Sequence, residues 1–152
     1  MGDPKVVNKW QAIVSAVLQK LGTIKTTSGF ETNAGSNVFE WRANPLEEGE
    51  MPGIMLRDTF PEEVLTVGAH EHLLLIELFV FTCGTDATTQ ARQVVADIVK
   101  VMGDDRSWGG LAEDTTPAPG GGLGTEVANQ VFAVAMKPFY VLYVTKPFDP
   151  YI

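Results

Sequence analysis

The chain has 152 residues, 45% of them hydrophobic and 20% charged, with three Trp and eight Phe. That composition and length fit one folded domain with its own core and exclude a disordered chain. The formal net charge of −8 argues against tight nucleic-acid binding through a basic patch, and no apolar run approaches the ~20 residues of a membrane-spanning helix.

Residues 6–21 carry Val6, Val7, Trp10, Ile13, Val14, Val17, Leu18 and Leu21 at three- and four-residue spacing, which predicts an amphipathic helix. Asp3-Pro4 is its expected cap and first-turn proline, and Gly22 its stop. Residues 23–35, rich in Thr, Ser, Asn and Gly, predict a polar loop. A strand is expected over 37–43, where Val38, Glu40 and Arg42 alternate with Phe39 and Trp41. An acidic loop over 44–53, a short strand over 54–57 and a second acidic connection over 58–68, interrupted by Pro61, complete this part.

The strongest strand pattern covers residues 70–83. Leu74, Ile76, Leu78 and Val80 share one face, and Leu73, Leu75, Phe79 and Phe81 share the other. Both faces are therefore expected to be covered, one by helices and the other by a neighbouring subunit. Glu77 alone interrupts the run and needs a partner if buried. A second helix is predicted over 86–102, with Ala91, Val94, Val95, Ile98, Val99 and Met102 as its buried stripe and Gly103 as its end.

Residues 104–112 hold Trp108-Gly109-Gly110 and predict turns, with a weak strand over 113–116. The Gly-rich stretch 117–125 predicts a flexible hairpin tip. Residues 126–145 predict two strands bent or broken at Pro138, and 146–152 an extended tail exposing Phe148 and Tyr151. The order of elements implies a single α+β domain, a mainly antiparallel sheet with two amphipathic helices packed on it, rather than a doubly wound nucleotide fold.

Few residues suggest chemistry. A single cysteine, Cys83, excludes an intramolecular disulfide and a Cys-based zinc cluster and reads as a small buried hydrophobe. His70 and His72, two apart on a strand, put both imidazoles on one face, a spacing that can hold a metal ion. A third ligand would have to come from an Asp or Glu elsewhere, and the reading taken is solvated histidines with no metal. Gly120, Gly121 and Gly122 lack the Gly-Lys-Ser/Thr ending of a phosphate loop and read as a turn able to order against a partner. Ser15, Ser28, Ser36 and Ser107 lack a nucleophile-elbow sequence. No catalytic residue and no cofactor is expected. Arg42, Arg57 and Asp58 flank the acidic loop, as ion pairs that fix its ends or as contacts to a partner subunit.

Several segments together resemble the tail-terminator, or minor tail, proteins of long-tailed phages and prophages. They are the N-terminal helix, Val38-Phe39-Glu40-Trp41-Arg42 with Asn44-Pro45, and Pro52-Gly53-Ile54-Met55-Leu56-Arg57-Asp58. His70-Glu71-His72-Leu73, Ala91-Arg92, Ala96-Asp97-Ile98 and the run from Asp105 to Ala112 continue the match. The resemblance covers most of residues 4–145. It implies a structural, non-catalytic subunit of the virion tail, assembled in the bacterial host cytoplasm, that forms a ring, commonly a hexamer, capping the tail tube and meeting the head connector. A head–tail joining subunit of the same assembly is the neighbouring alternative. A small metal-dependent enzyme built on His70 and His72, and a monomeric binding module, are the alternatives from other classes. Under the ring reading, Glu47, Glu48 and Glu50 are candidates for an acidic inner wall that repels passing DNA. The Gly120–Gly122 loop and the tail with Phe148 and Tyr151 are candidates for contacts between subunits.

Overall fold

The structure, a computed structural model, describes residues 7–151. Its helices are α1 (Lys9–Leu21) and α2 (Ala87–Met102), and its strands are β1 (Val38–Glu40), β2 (Gly53–Thr66), β3 (Ala69–Cys83), β4 (Asp114–Pro117), β5 (Gly122–Val127) and β6 (Val131–Thr145). The strand order is β1-β2-β3-β6-β4, with β5 pairing the first half of β6 while β4 pairs the second. Only β1 and β2 run parallel. This is the expected α+β fold with a mainly antiparallel sheet.

The core lies between the helices and one face of this sheet. Leu74, Ile76, Leu78 and Val80 of β3 are fully buried, as are Ile54, Leu56 and Val141 of the neighbouring strands, and they pack with Ile13, Val17 and Leu21 of α1 and Ala91, Val94 and Ile98 of α2. Their alternating partners Leu73, Leu75, Phe79 and Phe81 are only half-buried. Both helices thus cover the same face, as period-2 side-chain alternation allows. Among the described residues no helix covers the other.

The helices depart from expectation at their ends. The α1 cap is Asn8, whose side-chain oxygen accepts the Gln11 N–H at 2.7 Å. The expected Asp3-Pro4 cap and Val6 lie outside the described residues. Val7 and Trp10 are exposed, 48% and 41%, because the buried stripe begins only at Ile13. In α2 the expected Val99 is exposed, while Val101 and Asp97 are buried. The Asp97 carboxylate accepts the N–H groups of Glu31 (3.0 Å) and Thr32 (2.9 Å) and the Thr32 hydroxyl (2.8 Å). Loop 23–35 is thereby tied to α2, each charge-assisted bond satisfying a donor that burial would otherwise strand.

Three strand expectations are corrected. β2 does not stop at Arg57 but continues through Pro61 to Thr66, because a register shift between Thr59 and Glu62 places the proline, which has no N–H to give, where the ladder is already interrupted. β6 is one strand rather than two. Pro138 lies where the edge partner of β6 changes from β5 to β4, and its carbonyl accepts the Ala118 N–H at 3.0 Å. Its missing donor therefore faces a gap between ladders. The Gly-rich segment is not a free tip: Gly122 to Val127 form β5, and the turn before it lies flat on β6. At Gly121, with φ of 101°, an added Cβ would sit 2.5 Å from the Met136 carbonyl oxygen, so only glycine fits.

The C-terminal segment is also not a free extension. The Lys9 N–H donates to the Pro150 carbonyl at 2.9 Å, and Tyr151 bridges to Asn8. Phe148, with φ of 57°, is 91% exposed.

One-sided burial has a measurable consequence. Leu78→Ala, on the covered face, is expected to cost about 2–5 kcal/mol in urea unfolding of the isolated chain. Leu75→Ala, three residues away on the open face, should cost well under half of that, and equal costs would refute a one-sided core.

Candidate functional site

Four features carry functional groups, and β2 positions three of them. The first is a carboxylate held by two indoles. Asp58, 9% exposed on the covered face of β2, accepts the Trp10 indole N–H from α1 at 2.7 Å and the Trp41 indole N–H from the end of β1 at 2.6 Å. Trp41 reaches it because its backbone turns to φ 48° and its N–H bonds the Leu56 carbonyl. A pocket of ≈ 300 Å³ lined by Asn8, Gln11, Val14 and Glu40 opens beside the three residues. Asp58, expected in an ion pair or at a partner, instead joins α1, β1 and β2.

The second feature is the acidic loop. Glu50 forms a two-pronged pair with Arg42 and accepts the Glu47 N–H at 3.0 Å, and the Glu47 side chain caps the short helical turn Glu48–Glu50. The Arg42 pair, then the Glu47 N–H, hold the Glu50 carboxyl below its ordinary range. Glu48 receives a hydrogen bond from the Gln130 side chain. The three glutamates thus largely brace their own loop. Arg57 has no ion pair among the described residues. Its guanidinium lies 5.2 Å from the Phe79 ring centre and 5.7 Å from that of Trp41, and its Nε is buried with no hydrogen-bond partner there.

The third feature is the histidine pair, and here the solvated reading fails for His72. His70 and His72 share a face, as the spacing required, but that face is the covered one at its open end, and His72 is only 9% exposed. His72 stacks on Tyr143 at 4.5 Å between ring centres, with Phe60 at 6.0 Å and His70 at 4.0 Å. Its Nε2 lies 2.9 Å from the Thr145 hydroxyl and its Nδ1 3.3 Å from Glu63. Burial lowers the His72 pKa, with Glu63 opposing this and the His70 charge adding to it.

Glu63 had no sequence signal as a partner. Strand parity alone groups it with Pro61 and Thr59, away from Asp58 and Phe60. The extra residue at the register shift flips that parity and brings Glu63 opposite His72.

The fourth feature is apolar. The open sheet face presents Leu73, Leu75, Phe79, Phe81, Met136, Tyr140 and Leu142, all half-buried. Two hairpins run on from the ends of the sheet, with apolar side chains on both of their faces. The β2–β3 turn carries Val64, Leu65 and Val67, the last fully exposed, and the β5–β6 ribbon carries Leu123, Val127 and Val134, all exposed. Since His70 pairs with Thr145 and Cys83 with Phe132, the two turns lie at opposite ends of the sheet. Gly120 and Gly122 fall on the approach to the second ribbon. Cys83 ends β3, half-buried, its thiol pushed up by burial.

No family model and no curated protein matches this chain.

The double indole contact sets a graded expectation. Asp58→Ala leaves two indole N–H groups without an acceptor and should cost about 2–4 kcal/mol. Asp58→Asn retains one acceptor oxygen and should cost about 1–2 kcal/mol. Urea unfolding followed by Trp fluorescence reads both, and equal costs would dismiss the two-pronged account.

Proposed function

We propose that this chain is a structural subunit of a long-tailed phage tail, a tail terminator whose ring caps the tail tube and meets the head connector. The observation that carries the self-assembly part of this reading is the pair of apolar hairpin tips at opposite ends of one sheet. A closed ring needs two different surfaces on each subunit that fit each other, since a single self-complementary patch closes as a dimer. A subunit with Val64, Leu65 and Val67 at one end and Leu123, Val127 and Val134 at the other meets that requirement. The open sheet face between them has the same character.

The phage context rests on the sequence resemblance, and a head–tail joining subunit would use the same surfaces. The acidic-wall idea is narrowed by the geometry. Glu50 and Glu47 are engaged in bracing their loop, so charge at the lumen would rest more on the net −8 than on these side chains. The partners of the ring are then the tail tube protein and the head connector, and contact with DNA is passage rather than tight binding.

Charge at either tip tests the assembly. Val67→Asp and Val127→Asp leave the core untouched and should each reduce the sedimenting species to single chains while circular dichroism and thermal unfolding stay as in the parent. Retention of the parent's sedimentation by both variants would count against the tips as subunit contacts.

A further inference from the structure

We propose that Glu63, His70 and His72 form a binding site for a divalent transition-metal ion of the zinc class. The inference is independent of the ring assembly and stands on the geometry of the β2–β3 hairpin.

The three side chains project from one face of two paired strands, and one ligand atom from each lies within 4.8 Å of the others. Glu63 Oε1 is 3.3 Å from His72 Nδ1, and Glu63 Oε2 is 3.9 Å from His70 Nε2. Zinc–ligand bonds of about 2.1 Å in tetrahedral geometry place donors about 3.4 Å apart. One edge of the site already has that length, and closing the rest requires only rotation of Glu63 and His70, whose side chains are 46% and 26% exposed. Two imidazoles and a carboxylate are borderline donors that suit Zn²⁺, Co²⁺ or Ni²⁺ better than Ca²⁺ or Mg²⁺.

The surroundings can orient a ligating imidazole. The Thr145 hydroxyl, 2.9 Å from His72 Nε2, can accept that N–H and so turn the Nδ1 lone pair toward Glu63, the way a second-layer partner orients a ligating imidazole. In the metal-free arrangement the other tautomer serves, Nδ1–H donating to Glu63 and Nε2 accepting the Thr145 O–H. Tyr143 stacks on the His72 ring at 4.5 Å, and the His70 ring lies 4.0 Å from it. Lys9 opposes a cation there, but its ammonium is drawn to the Val144 carbonyl at 2.8 Å.

Three protein ligands leave a fourth position for water or an incoming group. It opens on a cavity of ≈ 290 Å³ lined by Trp10, Phe60, Tyr143 and Pro150. An ion there would clamp the protruding hairpin to the end of the core, close to where Asn8, Pro150 and Tyr151 meet.

Calorimetric titration of the tag-free full chain with Zn²⁺, with thermal unfolding in parallel, tests the site. One ion per chain is expected, with a rise in Tm. Glu63→Gln and His70→Gln, at partly exposed positions that do not support the core, should abolish both signals while the metal-free Tm stays near the parent's. Thr145→Val should weaken binding by about 10–100-fold. No heat and no Tm shift in the parent would overturn the proposal, as would Zn²⁺ binding to the Glu63→Gln and His70→Gln variants with the parent's stoichiometry and affinity.

Discussion

Everything else in this fold depends on the pairing of β3 with β6, two strands of fifteen residues aligned from His70–Thr145 to Cys83–Phe132. Strands of that length generate two apolar faces, and the described residues supply only two α-helices, both on one side. The covered face becomes the core, with Leu74, Ile76, Leu78 and Val80 of β3 wholly excluded from water. The opposite face keeps Leu73, Leu75, Phe79 and Phe81 partly wet, a state that apolar surface leaves readily when a partner is offered. The same strands are longer than the helices that cover them, so their ends run on as hairpins. The valines at those ends and the histidine cluster at one of them follow from that mismatch in length.

Carboxylates hold the rest of the chain to this frame. Asp58 gathers two tryptophans from different elements, Asp97 holds loop 23–35 on α2, and Asp105 accepts N–H groups from Ser107 and Gly109 together with the Ser107 hydroxyl. Those bonds, led by the one from Gly109, draw the Asp105 carboxyl below its usual range. Much of the negative charge that in sequence looked like a field for repelling DNA is thus committed to local bonds.

The parts legible in the sequence were those with a clean period: both helices, and β3 to within one residue at its start. What escaped was decided by pairing rather than by local pattern. Pro61 marked a break in composition, yet a bulge absorbs it. Pro138 marked another, yet it falls where two edge strands abut. Gly122 and Gly124 have no strand propensity and become β5 only because β6 offers an edge. The candidate metal cluster was half legible. The spacing of His70 and His72 put them on one face, but Glu63 reaches that face through a one-residue shift that no period records. Asp58 was singled out for ion pairing, and the two indoles that it holds instead lie 48 and 17 residues away in sequence.

The central claim is that the open face and the hairpin tips are surfaces between copies of this chain. The mass of the unmodified chain by light scattering, across a range of concentration and salt, tests it most directly. A discrete closed species near six chains, holding steady as concentration rises, is the predicted result. The mass of a single chain at every concentration and salt would contradict it.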